Sequence, residues 1–249
     1  MNNLLFHQVE SEANKASFTE FDNVDFLINV GQGRALLKNS LRILGDLKVN
    51  STGDTRAVGQ IFHNANVGAH AYIDSIQIQF TEGQNQGQIE NIQNYGRYVN
   101  MLVSGSNTTD DLLSGNNLCE LKAPNNLVVE EFCNGKKTKN SGAKITESMD
   151  FSIKPVCCLN RMNNDLSYNR SGTIKLTLNM AKQLSALKGT LQTINTNYAI
   201  SNLRISYMSV PDTNQDVVMR LLYNYKGAVL SNFSNISAKV PAVCEGVSI

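Results

Sequence analysis

The sequence predicts an all-β fold in which antiparallel strands form a two-layer sandwich. Two stretches alternate apolar and polar side chains with the period of two that is typical of a half-buried strand: AYIDSIQIQF at residues 71–80 and NLRISYMSVPD at residues 202–212. Turn-rich loops separate the strand-like runs, and the chain shows no βαβ rhythm. An antiparallel sandwich is the architecture that accounts for both observations.

Two strands are predicted in the first fifty residues. The stretch VDFLINV, residues 24–30, is short and apolar at both ends, and LRILGDLKV, residues 41–49, alternates with Gly45 on its apolar face. A glycine inside a strand is typical of a bulge or of a close backbone approach, so we expect one of these at Gly45. Between the two strands, Gly31 and Gly33 predict a turn.

One helix is predicted to interrupt the strands, within GQIENIQNYGRYVNMLVSG at residues 87–105. Its apolar residues recur at intervals of three and four, which is the period of an amphipathic helix. These residues are Ile89, Ile92, Tyr95, Val99, Leu102 and Val103. We interpret Tyr95 and Tyr98 as packing residues rather than as a ligand cage.

Further strands are predicted in LCELKAP, NLVVEEFC, SMDFSIKP and SGTIKLTLNM. The segment AKQLSALKG, residues 181–189, has leucines at helical spacing and a terminal glycine, so it predicts one or two turns of helix. The chain after residue 212 is expected to contain one long strand and a last strand that ends at Ile249.

The strand that ends at Pro211 is predicted to contain a bulge. Tyr198 and Ile200 have the opposite parity to Leu203, so an uninterrupted strand would point them to different faces. An extra residue near Ser201–Asn202 would bring both halves onto the same face.

The predicted strands number about eight, which is the number in a jelly roll. We therefore expect an antiparallel eight-stranded jelly-roll sandwich with one helical insertion and extended termini. Residues 1–20 are predicted to be an extended N-terminal arm that reaches across to neighbouring molecules and orders on assembly. Residues 21–249 show no repeat and no clean linker, so they are predicted to form a single domain with loop and helix insertions.

The composition argues against nucleic acid and anionic membranes as partners, and the sequence argues against secretion. The net charge is +1 and only 17% of residues are charged, so no global field attracts nucleic acid or an anionic membrane. Asn occurs about thirty times, so we expect amide side chains, rather than charged ones, to solvate much of the surface. We expect no signal peptide and no membrane span. Five cysteines lack zinc or redox spacing and are interpreted as reduced thiols; they are Cys119, Cys133, Cys157, Cys158 and Cys244.

No motif for catalysis or cofactor binding is present in the sequence. His7 lies in the leader, and His63 and His70 lack a third ligand that would complete a metal site. The Gly31 and Gly33 turn lacks the third glycine of a dinucleotide fingerprint, and NGKKT at residues 134–138 lacks the first glycine of a phosphate loop. We therefore predict no enzyme activity, no catalytic residues, no cofactor, no metal and no small-molecule substrate.

A short basic run is interpreted as a solvated loop, because no aromatic residues are interleaved with it for stacking on bases. Contact with nucleic acid or with an acidic partner chain is the alternative for this run. It consists of Lys136, Lys137, Lys139 and Lys144.

The order of these segments resembles a known group of proteins. The chain runs through LLKNSLRILGDLKV, GQIFHNANVGAHAYIDSIQIQF, NYGRYVNMLVSG, MDFSIKPVCCLN, SGTIKLTLNM and YAISNLRISYMSVPD to AKVPAVCEGVSI. This order is similar to that of capsid proteins of icosahedral DNA viruses of the adenovirus and tectivirus lineage, most of all those of virophages and polinton-like viruses. The resemblance covers nearly the whole chain after the leader.

The resemblance implies a structural role in a virus shell. In this lineage the penton protein has one jelly roll and forms pentamers at the vertices, while the major capsid protein has two and forms pseudo-hexagonal trimers. One jelly roll with an insertion fits this length better, so a penton protein is expected. It would be located in the virion, assembled inside the host cell, with its own copies and other capsid proteins as partners. The alternative is a hexon-like major capsid protein or a fragment of one.

Two non-viral classes remain as alternatives. A lectin-like, carbohydrate-binding jelly roll would need exposed aromatic platforms or calcium-binding carboxylates, and this chain has no Trp and no DxDxD run. A cupin-type enzyme would need a metal triad of histidines and a carboxylate, and His63 and His70 alone do not provide it.

Overall fold

The computed structural model describes residues 3–13, 15–52, 61–63, 67–82, 86–104, 119–122, 149–189 and 195–212. Residues Met1–Val210 form one compact unit, and Pro211–Ile249 form a second. Nearly all of the second unit lies outside the described residues, so the prediction of a single domain over residues 21–249 remains a prediction, as do the strands expected after residue 212.

The described residues are mostly β-structure, with few and short helices. The strands are β1 (Leu5–Glu10), β2 (Ser17–Phe18), β3 (Asn23–Ile28), β4 (Arg34–Leu36), β5 (Arg42–Thr52), β6 (Ile61–His63), β7 (Ile73–Phe80), β8 (Gly87–Ile92), β9 (Met149–Ile153), β10 (Leu166–Ser167), β11 (Ile174–Met180), β12 (Leu187–Gly189) and β13 (Asn195–Pro211). The helices are α1 (Tyr95–Ser104), α2 (Cys158–Arg161), α3 (Tyr168–Ser171), α4 (Gln183–Ala186) and a 3-10 helix at Gly68–Tyr72. Several strands have only two or three residues, and the predicted count of eight is not confirmed.

Two antiparallel sheets dominate the fold. The four-stranded sheet has the order β3-β11-β7-β8, and β11 pairs along its length with both β3 and β7. In the seven-stranded sheet the order is β10-β4-β13-β5-β9, with β1 and β2 also paired to β13. A two-stranded sheet joins β12 to β6. This arrangement agrees with the predicted antiparallel fold class and is consistent with a jelly roll.

Both main sheets bury one face in a single hydrophobic core. In β11, Ile174, Leu176 and Leu178 are buried while the residues between them are half-exposed, as the sequence alternation predicts. The seven-stranded sheet contributes Ile43 and Ile205 to the same core. Because the core is continuous, each sheet covers the apolar face of the other.

The bulge and the close approach that the sequence predicts are both present. The register of β13 against β5 shifts between Ser201 and Arg204, and Asn202 there has φ +50°, a conformation that Asn tolerates better than most residues. In β5, a Cβ at Gly45 would lie 3.0 Å from both Ile200 Cγ2 and Phe151 Cζ. The glycine therefore allows the neighbouring side chains to pack over the strand.

The predicted helix over residues 87–105 is wrong in its first third. Residues Gly87–Ile92 form β8, an edge strand paired to β7, and the helix begins only at Tyr95. The spacing of Ile89 and Ile92 is compatible with a helix, but residues 87–92 form a strand because they pair with β7. In this strand the side chain of Ile89 is 44% exposed. Asn94, with φ +52°, separates the strand from the helix.

Two other predictions also differ from the structure. Residues 119–122, predicted as part of a strand, form a turn instead, in which Leu121 has φ +59°. The single helical insertion is joined by further short helices. The N-terminal arm over residues 1–20 stays a prediction; within it, Leu5–Glu10 is paired with β13 of the same chain.

None of the helices in the described ranges has the length and apolar character that crossing a membrane requires. The predicted strand NLVVEEFC and the basic run at Lys136–Lys144 lie outside the described residues.

Candidate functional site

Four polar residues meet inside the core and form the only group of this kind that we found in the described ranges. His70 comes from the 3-10 helix, Tyr95 from the first turn of α1, and Glu120 and Lys122 from the turn that follows Cys119. All four are buried. We call His70, Tyr95, Glu120 and Lys122 the polar cluster.

The carboxylate of Glu120 lies at the centre of the polar cluster. Its Oε1 atom is 2.8 Å from Lys122 Nζ and 3.1 Å from His70 Nε2. The backbone N–H of Lys154, just after β9, donates to Oε2 at 3.0 Å. Both carboxylate oxygens therefore have partners, which a buried charge requires.

The other nitrogen of His70 completes a chain of hydrogen bonds. His70 Nδ1 lies 2.9 Å from the hydroxyl of Tyr95, and that hydroxyl accepts the backbone N–H of Val156 at 2.9 Å. Since the hydroxyl oxygen already accepts, its proton is free to be donated to Nδ1. His70 then carries its own proton on Nε2 and donates it to Glu120. Both ring nitrogens of His70 and the hydroxyl of Tyr95 are thus paired when His70 is neutral.

The electrostatics agree with this assignment. Burial lowers the pKa of His70, and Lys122 lowers it further, against the opposing effect of Glu120. Burial acts to raise the pKa of Glu120, but the hydrogen bond from His70, the charge that His70 carries when it is protonated, and the charge of Lys122 outweigh it and lower the pKa to about 2. Burial raises the pKa of Tyr95. The polar cluster thus contains one ion pair, Glu120 with Lys122, and two neutral rings.

Close backbone packing holds the 119–122 turn against the 3-10 helix. Ala69 N–H donates to the carbonyl oxygen of Glu120 at 2.8 Å. Gly68 has φ +61°, and a Cβ there would lie 2.2 Å from the same carbonyl oxygen. Only glycine allows this approach, so the sequence at residue 68 determines how deeply Glu120 is inserted.

The polar cluster joins four segments of the described part of the chain. A groove of about 600 Å³ along the described residues is lined by residues such as Asp74, Arg97 and Met101 but by no member of the polar cluster. No three His, Cys, Asp or Glu residues of the described ranges are placed to hold a metal ion. The hydrogen bonds of the polar cluster connect the 3-10 helix, α1, the 119–122 turn and the segment after β9.

Of the two histidines that the sequence analysis considered together, the structure describes the side chain of His70 alone. His70 is in the polar cluster, whereas His63 lies in β6 and its side chain is outside the description. Gly31 and Gly33 both have positive φ in the turn before β4, as predicted. Cys119, Cys157 and Cys158 are free thiols, and Cys157 is buried; Cys133 and Cys244 lie outside the described residues.

Sequence reasoning missed Glu120 and Lys122 as core residues. The signal for them was weak: two charges inside the apolar run LCELKAP, which was interpreted as a short strand. Tyr95 was predicted to be a packing residue, and it is fully buried, although its hydroxyl is part of the polar cluster.

Comparison with known proteins relates the fold to that of virus proteins. No protein-family model and no curated protein matches the sequence. A chain in the cryo-EM structure of the Sputnik virophage matches with a TM-score of 0.51 and 11% identity, over 85% of this chain and 48% of that chain. The mavirus major capsid protein matches with a TM-score of 0.46 and 12% identity, over 83% and 46%. At such identities the Sputnik match shows a shared fold.

The solved structures extend well beyond the match. VP54 of the virus PBCV-1 is matched over 86% of this chain and 44% of its own, with 12% identity and a TM-score of 0.40. The chain therefore spans about half the length of the structures to which it is similar.

Proposed function

We propose that this protein is a structural component of an icosahedral virus shell, built on a jelly roll. The observation that carries the proposal is the fold shared with a chain of the Sputnik virophage particle at a TM-score of 0.51. The same assignment follows from the resemblance in the order of sequence segments. Its partners are then copies of itself and other capsid proteins, and its location is the virion.

The physical character of the described unit supports this role. Two sheets share one continuous core, which makes a rigid wall. With a net charge of +1, many copies can approach one another without accumulating repulsion. The polar cluster uses its titratable groups to connect segments, and none of them lines the groove of about 600 Å³.

Two positions in the shell are consistent with this proposal. A penton protein with one jelly roll is the role that the resemblance implies, and it forms pentamers. The second candidate is one barrel of a hexon-like major capsid protein. The match to 48% of the Sputnik chain does not separate the two candidates, because a one-barrel penton protein and one barrel of a major capsid protein would each be matched to about half of a two-barrel chain.

The oligomer that the purified chain forms separates the two positions. Analytical ultracentrifugation and negative-stain microscopy should show rings of five for a penton protein and trimers for a major capsid protein. A cyclic trimer and a pentamer are both closed by heterologous contacts, so the number of subunits in the ring is the measurement that separates them. A chain that stays monomeric at high concentration and binds glycans on an array would overturn the proposal in favour of a lectin.

A further inference from the structure

The N-terminal strand β1 is attached to the rest of the fold by few side chains. It pairs antiparallel with β13 from Leu5 opposite Ser209 to Glu10 opposite Arg204. Its residues are alternately exposed and half-buried, and none is fully buried. Phe6 remains 65% exposed. Backbone hydrogen bonds alone hold a strand weakly, so the contacts of its half-buried residues determine whether β1 stays in place.

His7 makes the most specific of these contacts. Its ring stacks on Tyr207 of β13, with centroids 4.8 Å apart and planes 11° apart. Its Nε2 atom lies 2.8 Å from Oγ of Ser209, which is fully buried. Arg34 of β4 donates from Nε to the same Oγ at 2.9 Å, and from Nη2 to the carbonyl oxygen of Asn3 at 2.7 Å.

The hydroxyl of Ser209 favours a neutral His7. Oγ accepts the Nε–H of Arg34, and its own proton has an acceptor in the lone pair of His7 Nε2 when that nitrogen carries no proton. A protonated His7 would present a second N–H to the same oxygen, and the hydroxyl proton would lose its acceptor in a buried position. It would also place a second positive charge beside Arg34.

We propose that β1 is a pH-controlled strap, which lies on β13 while His7 is neutral and is released when His7 takes up a proton at Nε2. Release uncovers the backbone edge of β13 between Arg204 and Ser209. The strap is a property of the single chain, so this proposal stands or falls independently of the proposed role in a virus shell.

The other charged groups near β1 do not compensate the added proton. Burial first, and then Arg34, lowers the pKa of His7. Asp25, on the neighbouring strand β3, is paired with Lys175 at 3.0 Å. Tyr207 bonds to the backbone of Asn29, and burial raises its pKa, so it stays neutral. Glu10 lies at the far end of β1, opposite Arg204.

The sign of the pH dependence follows from this pKa. The released strand has an ordinary histidine, with a pKa of about 6.5, and the docked strand has a lower one. The docked form therefore binds fewer protons. Docking is complete above about pH 6.5 and weakens as the pH falls below it, by at most about tenfold per pH unit until the docked pKa is reached.

Amide hydrogen exchange of the full chain between pH 7.5 and 5, expressed as protection factors, tests the proposal. We expect the amides of β1 that pair with β13 to lose protection below about pH 6.5, by up to about tenfold per unit, while those of β11 stay constant. Protection of β1 that does not change with pH, or that falls in parallel with β11, would overturn it.

Two variants identify His7 as the group that titrates. His7→Gln cannot take up the proton, so the pH dependence of β1 protection should disappear. The double variant His7→Gln with Gln8→His moves the histidine to the exposed neighbouring position, away from Ser209, and it should stay independent of pH. A pH dependence that persists in either variant contradicts the proposal.

A direct titration covers the case in which His7→Gln releases β1 at every pH. The chain has three histidines, so the ring of His7 can be followed by NMR in the unmodified protein. Its pKa must lie below about 6.5 while β1 is protected. A pKa at or above that value excludes release by protonation.

Discussion

Glu120 and Lys122 form an ion pair inside the core: carboxylate Oε1 and ammonium Nζ lie 2.8 Å apart, and neither side chain is more than 9% exposed. Burying two charges costs several kcal/mol per ion, which their attraction offsets only if the remaining lone pairs are also satisfied. His70 and the backbone of Lys154 provide those bonds. The ion pair is thus one part of a connection between segments that are distant in sequence.

Replacing Glu120 with Gln should destabilise the protein by about 3–5 kcal/mol, because it leaves the charge of Lys122 buried without a partner. Urea denaturation of the purified variant measures the change. The double variant Glu120→Gln with Lys122→Met removes both charges, so it should recover much of the loss.

An exposed ion pair is the matched control for this substitution. Lys15 Nζ lies 2.6 Å from Asp22 Oδ2, but the lysine side chain is 48% exposed. Lys15→Ala should therefore cost less than about 1 kcal/mol. If Glu120→Gln costs no more than Lys15→Ala, the buried pair does not have the importance that we assign to it.

Acid should remove the contribution of Glu120. The pKa of this carboxyl group is lowered to about 2 in the folded chain, from 4.5 when it is unperturbed. The folded state thus binds fewer protons, so its extra stability is complete above about pH 4.5 and declines as the pH falls toward 2. The free energy of unfolding should fall over this window in the unmodified protein, and less steeply in the double variant. Equal slopes in the two proteins would contradict the assignment.

Removing the hydroxyl of Tyr95 should break the chain of hydrogen bonds at two points. In Tyr95→Phe the N–H of Val156 loses its acceptor and His70 Nδ1 loses its donor. We expect a loss of roughly 1–3 kcal/mol in the free energy of unfolding, since unpaired polar groups are left in the core.

The protonation state of the His70 ring is a second test of the same chain of hydrogen bonds. In the unmodified protein, ¹⁵N chemical shifts should identify a neutral ring with its proton on Nε2. A proton on Nδ1, or a charged ring at neutral pH, would reverse the donor and acceptor roles that we assign to Tyr95.

Alternation along single strands was enough to predict much of the fold. In β11 the buried and half-exposed residues follow the period of two, and in β13 the parity change before Leu203 located the bulge at Asn202. These features depend on residues that are neighbours in sequence. Burial of one face then determines the register with little freedom.

The polar cluster could not be predicted in this way, because its members are far apart in sequence. His70 and Glu120 are separated by 50 residues, and no local pattern relates them. The error at Ile89 and Ile92 has the same origin, since their spacing suits a helix until the pairing of β8 with β7 is known. In both cases the structure depends on contacts between segments that are far apart in sequence.

The close packing of the 3-10 helix on the 119–122 turn leads to a prediction with a matched control. Gly68 and Gly33 both have positive φ, but a Cβ at Gly68 would meet the carbonyl oxygen of Glu120 at 2.2 Å, whereas nothing lies within 4 Å of one at Gly33. Gly33→Ala should cost only the backbone strain, about 1 kcal/mol, as measured by urea denaturation. Gly68→Ala must also displace the turn that carries Glu120, so it should cost at least about 2 kcal/mol more and raise the exchange rate of the Ala69 amide. Equal losses in the two variants would mean that the turn moves away from the 3-10 helix without cost, and that the polar cluster does not hold it there.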